Sequence, residues 1–364
     1  MQLYNRVDRK VLETQMADSD VRRITLSFYK YHQIGNPQLF RNYLYARLHS
    51  LGVLGRIYVA HEGVNGQISV PKEQYHAMVQ ELDDTGFLSG IRLNIAIEDD
   101  GKSFIKLIIK VRSKIVADGL NDSSFDVTRR GKHIDAEEFN SLASDPDTVI
   151  VDMRNHYESE VGHFEGAICP DVDTFRDSLP IVEDILNPHK DKNILMYCTG
   201  GIRCEKASAW FKHRGFEKVH QLNGGIIEYA RQVQEKGLEN KFKGKNFVFD
   251  NRLGERISDD VLAQCHQCGA PCDTHTNCKN AACHLLFIQC PDCAAKYEGC
   301  CSSECHEFNR LPEETQKELR KNIDYQHNVY HKGRVRPKLQ ELISEQLRTL
   351  KESNEPVDLK TEQD

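Results

Sequence analysis

A cysteine followed by two glycines and an arginine, Cys198-Thr199-Gly200-Gly201-Ile202-Arg203-Cys204, stands between an apolar run ending at Tyr197 and a segment with Ala207, Trp210 and Phe211 at helical spacing. That order reads as strand, tight loop and helix. Glycines let successive backbone N–H groups turn into one concavity, the helix start adds a positive dipole end, and Arg203 adds a fixed charge. All three lower the pKa of the Cys198 thiol and make it a nucleophile or sulfur carrier. Two readings stand for Cys204: it resolves an oxidised or persulfidated Cys198 as a disulfide, or it packs as a small residue at the helix start. Cys169, in a loop after Gly166-Ala167, reads as packing. A cysteine phosphatase also cradles an anion in backbone N–H groups, but its loop places one residue more between cysteine and arginine than the four found here. Arg203 would then sit wrongly for a phosphoryl transition state, so that chemistry is set aside.

A second group of cysteines is arranged for metal. Cys265-His266-Gln267-Cys268 and Cys290-Pro291-Asp292-Cys293 are pairs with two residues between sulfurs, separated by about twenty residues. Each pair puts its sulfurs on one side of a turn, and two pairs complete a tetrahedron for Zn2+. Cys278, Cys283, Cys301 and Cys305 are assigned to a second site, with Cys272, Cys300, His275 and His284 as substitutes. A short, polar segment of this kind needs a staple to fold. The alternative is a reduced cysteine-rich core.

The elements that must position these groups fall into a sequence of regions. Up to about residue 120, Ile24 to Tyr31, Gly55 to Ala60, Gly66 to Val70, Arg92 to Ile97 and Phe104 to Val111 read as strands, and Leu39 to Leu51 and Glu73 to Asp83 as helices. That order predicts a ferredoxin-like or acylphosphatase-like α+β sandwich with an extra strand. His61-Glu62-Gly63-Val64-Asn65-Gly66-Gln67 joins two strands as a hairpin turn, or forms a surface with His61 and Asn65 that meets RNA or shapes a catalytic cleft. Lys102, Lys106 and Lys110 share strand parity, either as a solvated face or as a phosphate-contacting stripe. Residues 121–135 read as a polar connector. From 136 to 240 strands alternate with helices, among them Glu137 to Ala143, Thr148 to Asp152, Val219 to Leu222 and Ile226 to Gln234, the pattern of a parallel α/β sheet. Residues 241–310 hold the strand-like Asn246 to Asp250 and the cysteines. Residues 311–364 form a charged region with helices expected over Pro312 to Asn322 and Leu339 to Leu350, a basic cluster from Lys332 to Lys338, and a solvated tail from Glu352.

Asp152-Met153-Arg154, Glu158, Gly162-His163, Gly166-Ala167, the Cys198 loop and Asn223-Gly224-Gly225 arrive in the order of a rhodanese domain, and residues 136 to 236 resemble one. The resemblance implies that the loop cysteine carries a persulfide and that Asp152, Arg154, Glu158 and His163 support the loop with Gly200 and Gly201. With the sandwich before it and Cys265-His266-Gln267-Cys268-Gly269-Ala270-Pro271-Cys272 after it, the chain resembles the bacterial rhodanese-type tRNA uridine hydroxylases from Ile24 to Cys305. That resemblance implies oxygen-dependent conversion of the wobble uridine of tRNA to 5-hydroxyuridine, with tRNA as partner and molecular oxygen as co-substrate. No nucleotide or flavin motif is seen.

Composition sets outer bounds. A hydrophobic fraction of 39% and a charged fraction of 28% are those of a folded soluble chain, not a disordered one. No stretch approaches the roughly 20 apolar residues of a membrane span, and Met1 to Arg6 lacks the apolar run of a secretory leader, so the expected location is the cytoplasm. A net charge of −7 excludes a wholly basic nucleic-acid sheath but not a local basic patch. Two other function classes remain open to the sequence: a sulfurtransferase taking sulfur from thiosulfate or a persulfide carrier, and a non-catalytic RNA-binding module.

Overall fold

Strand β1, Arg23–Tyr31, buries Leu26 and Phe28 and turns Ser27, Tyr29 and Tyr31 the other way, the period-two alternation of a sheet with one core face. In the computed structural model, which describes residues 5, 7–122, 124–321 and 348, β1 lies inside a five-stranded sheet with β2 (Leu54–Ala60), β3 (Gly63–Pro71), β4 (Asn94–Ile95) and β5 (Leu107–Val111) in the order β4-β1-β3-β2-β5. Neighbours pair antiparallel except β2 and β5, which run parallel. Helices Pro37–Ser50 and Tyr75–Asp83 cover one face, and Leu44, Leu48, Met78 and Leu82 pack there on Ile57, Val59, Val64 and Ile68. Asn36 starts the first of these helices by accepting from Leu39 N–H at 2.9 Å, with Pro37 in the first turn, where its missing N–H costs nothing. The ferredoxin-like order with one added strand is therefore present. The strand expected over Arg92 to Ile97 shortens to two residues, since Ile97 N–H turns away to Glu255 Oε1 at 2.9 Å.

A parallel sheet follows, with β6 (Lys132–Ile134), β7 (Thr148–Asp152), β9 (Asn193–Tyr197) and β10 (Val219–Leu222) in the order β6-β10-β9-β7. Its strands are apolar on both sides because helices lie against both faces, giving two cores: Met196, Ala207 and Phe211 in one, Phe139, Leu195 and Tyr229 in the other. Strand β6 falls inside the segment expected as a connector; its pairing with β10 makes Lys132 to Ile134 an edge of the sheet. The helix Phe175–Leu186 escapes a propensity reading because Pro180 lies within it, but Thr174 caps it and Leu179, Val182 and Leu186 anchor it in the core.

Strands β8 (Gly162–Phe164), β11 (Phe242–Asn246) and β12 (Glu255–Arg256) form a small sheet beside the parallel one. This corrects the strand read from Asn246 to Asp250: pairing ends at Asn246, and the aromatic run beyond it packs edge-on, Phe247 on Tyr157 at 5.2 Å and Phe249 on Phe247 at 5.3 Å. The chain divides into compact units Met1–Asp260 and Val261–Asp364, and residues 241 to 260 stay with the first because β11 pairs with β8.

In the second unit, β13 (His275–Asn277) and β14 (Leu286–Ile288) make a hairpin, followed by helices Pro291–Lys296, Ser303–Asn309 and Glu313–Lys321. Its small core joins Phe287 and Phe308 to cysteines. The Met1 to Tyr4 start, the Lys332 to Lys338 cluster, the tail from Glu352 and, save for Arg348, the Leu339 to Leu350 helix lie outside the described residues. Among the described residues, no helix is long and apolar enough to cross a membrane.

Candidate functional site

Strand β9 ends at Tyr197 and the helix Ile202–His213 begins four residues on. The turn between them is possible because Gly201 takes a left-handed φ of 97°. It points Gly201 N–H at Cys198 Sγ, 3.2 Å away, and the N–H groups of Arg203 and Cys204 reach the same sulfur. Burial raises the pKa of Cys198; the Cys204 thiol, Arg203 and these N–H groups outweigh it and bring the pKa down to about 6. Cys204 moves the opposite way, driven well up by burial and by its hydrogen bond to the Cys198 sulfur. The pair is therefore one thiolate and one thiol at neutral pH. Cys169 has its pKa pushed up to about 12, chiefly by burial, the environment of an inert thiol.

The loop is held from behind. Ile226 N–H donates to Cys198 O at 3.0 Å and Ile227 N–H to Thr199 O at 3.3 Å, from the first turn of the helix Gly225–Lys236. A side chain at Gly225 would stand 2.4 Å from Cys198 O, which accounts for glycine in Asn223-Gly224-Gly225. Arg203 is clamped by Glu158, whose carboxylate also receives Asn155 N–H at 3.1 Å. Asp152 and Arg154 form a fully buried pair under the strand end, and Arg154 Nη2 donates to Gly162 O at 2.6 Å. His163 Nδ1 lies 2.9 Å from Ser159 O. Asp152, Arg154 and His163 thus reach the loop through the backbone, whereas Glu158 touches it.

The polar side of β1 lies over the front of the loop. Tyr31 Oη donates to Ile202 O at 3.3 Å, Asn94 Nδ2 to Gly200 O at 3.4 Å, and Tyr29 Oη to Glu205 Oε1 at 3.2 Å. Glu205 also meets His133 Nε2 at 2.9 Å and Arg130 Nη1 at 3.1 Å. Burial pushes its carboxyl up, but His133 and Arg130 hold it below its ordinary value. Next to it Lys206 Nζ, almost wholly enclosed, binds Glu62 at 2.9 Å and Asp118 at 2.5 Å. Tyr29, Tyr31 and Asn94 carry no signal of chemistry in the sequence, and Glu205 and Lys206 belong to the loop motif Tyr197 to Lys206 without an assigned role. The signal available was the alternation of β1, which places two tyrosines on its polar side.

Of the surface candidates, His61 sits in the β2–β3 turn with Nδ1 3.0 Å from Ile34 O, and Asn65 lies within β3 with Nδ2 donating to Ile115 O at 3.3 Å. The stripe of Lys102, Lys106 and Lys110 does not form. Only Lys110 is in β5; Lys102 and Lys106 precede it, and Lys102 turns to Ala17 O at 3.3 Å, so strand parity does not relate them.

In the second unit the sulfurs of Cys265, Cys268, Cys290 and Cys293 lie within 4.8 Å of one another, as do those of Cys278, Cys283, Cys301 and Cys305. Cys268 and Cys290 are 3.6 Å apart, and Cys283–Cys301 and Cys301–Cys305 are each 3.7 Å. The edge of a tetrahedron with metal–sulfur bonds of about 2.3 Å is roughly 3.8 Å, so both sets fit an ion of that size. Backbone N–H groups of Cys290 and Cys301 point at the sulfurs of Cys265 and Cys278 at 3.4 Å, as they do toward thiolates. The proposed substitutes Cys272, Cys300, His275 and His284 are outside both sets.

Three family models match the chain in order: a UPF0176 acylphosphatase like domain over residues 23–115, a Rhodanese-like domain over 135–232, and a Rhodanase C-terminal model over 243–306. A tRNA uridine(34) hydroxylase of Leptospira interrogans is 53% identical over 340 residues, covering 93% of each chain. Proteins of the same name from Enterobacter sp. and Salmonella arizonae are 54% and 55% identical over 337 residues, covering 92% of this chain and 96% of theirs. The matched region takes in the sandwich, the Cys198 loop and both cysteine sets together, and on that ground this chain belongs to the tRNA uridine(34) hydroxylase family.

Proposed function

We propose that this enzyme converts uridine 34 of tRNA to 5-hydroxyuridine with molecular oxygen, and that Cys198 is the reactive sulfur. The observation that carries the reading is a thiol drawn to a pKa of about 6 in a cradle of N–H groups, in a chain whose relatives of matching length are tRNA uridine(34) hydroxylases. C5 of uracil is a weak nucleophile. Addition of the Cys198 thiolate at C6 makes C5 enolate-like, so that it can attack an oxygen electrophile, and loss of the C5 proton then releases the thiolate; one atom of O2 stays on C5 and the other leaves as water, with two electrons and two protons supplied by an external two-electron reductant. Arg203 keeps a positive charge beside the sulfur, and the hydrogen bond between Cys204 and the Cys198 sulfur supports Cys204 as the thiol that resolves an oxidised Cys198 as a disulfide. tRNA is the partner, the two cysteine sets hold structural Zn2+, and the cytoplasm is the location. Zinc bound there would cross-link β13–β14 and the short helices, which have little apolar core of their own.

Cys198 is 0% exposed, so a base must enter between the loop and the sandwich, and the wobble base must leave its stack. A persulfide, about 2 Å longer, would reach outward instead, which is the sulfurtransferase reading. tRNA containing 5-fluorouridine at the target position separates them, because fluorine cannot leave as the C5 proton does. A covalent RNA adduct at Cys198, together with absence of 5-hydroxyuridine and unchanged thiouridines in cells carrying only Cys198→Ser, is expected. Full hydroxylation by Cys198→Ser without any adduct would remove the thiol from the chemistry, and sulfur transfer to cyanide or tRNA in place of hydroxylation would favour the sulfurtransferase.

A further inference from the structure

The two helices of the sandwich cover one face of its sheet, and β1 docks only part of the other against the Cys198 loop. Strand register identifies what the rest of that polar face carries. Ser27 pairs with Gln67 and Gln67 with Arg56; Tyr29 pairs with Asn65, Asn65 with Tyr58, and Tyr58 with Lys110. Paired residues share a face, so these side chains form two rows leading away from the loop, one ending at Arg56 on β2 and the other at Lys110 on the edge strand β5. Toward that edge Arg56, Lys110 and Arg112 are exposed and have no ion-pair partner among the described residues, and the Arg112 guanidinium lies over Tyr58 at 5.5 Å from the ring centroid. At the inner end Asn94 is 2% exposed; its Nδ2 is used on Gly200 O, but its Oδ1 has no hydrogen-bond partner among the described residues.

Unpaired cations, an arginine over a tyrosine ring and a buried free acceptor beside the Cys198 loop have one chemistry in common. The cations match phosphates, the stack matches unstacked bases, and the acceptor matches the N3–H that uracil has and cytosine lacks. We propose that this face is the track for the single-stranded anticodon loop, with Arg56 and Lys110 on phosphates, Tyr58 and Arg112 as the stacking platform, and Asn94 reading the edge of the base brought to Cys198. The inference rests on the hydroxylase reading for the identity of the RNA, and its own content is which surface binds.

The test uses the full chain and a fluorescent anticodon stem-loop carrying uridine 34, with anisotropy read across a salt series and 5-hydroxyuridine measured in parallel. Tyr58→Ala is expected to weaken binding by roughly fivefold or more, the lower end for a lost base stack. Arg56→Ala and Lys110→Ala should each lower the salt dependence by about one phosphate contact, with melting temperature unchanged, and Asn94→Ala should narrow the preference for uridine over cytidine at position 34. Cys198→Ser should bind as the unsubstituted chain does and form no product. Unchanged affinity and salt slope in the face variants would overturn the track while leaving a hydroxylating wild type intact. Face-dependent binding without any 5-hydroxyuridine from the wild type would keep the track and remove the hydroxylase reading. Polyglutamate competing as well as RNA, with the same loss in the variants, would overturn the track in favour of an acidic protein partner.

Discussion

Arg203 holds Glu158 with both ends of its guanidinium, Nη1 to Oε1 at 2.6 Å and Nη2 to Oε2 at 2.8 Å, across 45 residues of chain. Both groups are buried, Glu158 completely. The charge that stabilises the Cys198 thiolate is therefore fixed by a carboxylate on another element, and the loop and the helix His156–Ser159 are tied into one unit. Glu158→Gln keeps the shape and removes the charge, leaving a buried guanidinium without its counter-ion. Loss of about 3–5 kcal/mol in urea unfolding is expected, against about 0–1 kcal/mol for Lys236→Ala, which breaks an exposed pair with Asp135. Equal losses in the two variants would show that the buried pair is not special.

The pKa of about 6 at Cys198 has a direct pH consequence. A thiol is deprotonated above its pKa, so the Cys198 thiolate should appear as pH rises through about 6, below the ordinary thiol range near 8.5. The difference in thiolate ultraviolet absorbance between the unsubstituted chain and Cys198→Ser reads it. Arg203→Met should move the midpoint upward, since it removes one of the lowering charges; a midpoint that stays put would assign the shift to the N–H groups and Cys204 alone.

Gly201 is constrained twice, by its left-handed φ and by Tyr29, whose Oη would lie 2.7 Å from a side-chain carbon at that position. Gly201→Ala should lose roughly 1–2 kcal/mol from backbone conformation plus a steric contribution from Tyr29. Tyr29→Ala in the same chain removes only the second part. A double-mutant cycle by denaturant melting should therefore show partial rescue, and strict additivity would mean that the phenol yields freely.

Metal content discriminates ligands from bystanders. Elemental analysis should find two zinc ions per chain, one after Cys293→Ser, one after Cys305→Ser, and two after Cys272→Ser or Cys300→Ser, whose sulfurs lie outside both sets. Strong chelators should abolish amide protection in residues 261–321 and leave the parallel sheet protected. Zinc loss from Cys272→Ser would move the ligand assignment.

Sequence by itself determined what depends on short spacing. Cys198 before Gly200-Gly201 and a helix start prescribes an N–H cradle because the turn involves only consecutive residues, and Cys265–Cys268 with Cys290–Cys293 prescribes a sulfur tetrahedron because two knuckles suffice for four ligands. Period-two and helical patterns likewise gave the order of the sandwich and the parallel sheet. Where local pattern competed with tertiary pairing it misled: Phe247 and Phe249 look like a strand, but Phe247 packs on Tyr157 and Phe249 on Phe247, and Lys106, inside the strand expected over Phe104 to Val111, precedes the one that forms. Only the tertiary structure decided what faces the thiol. Tyr29 and Glu205 are 176 residues apart, and Asn94 and Gly200 are 106 apart. No spacing rule connects such pairs, because their contact is set by how the sandwich docks on the loop, and that is fixed by packing and burial of whole elements rather than by the residues that meet.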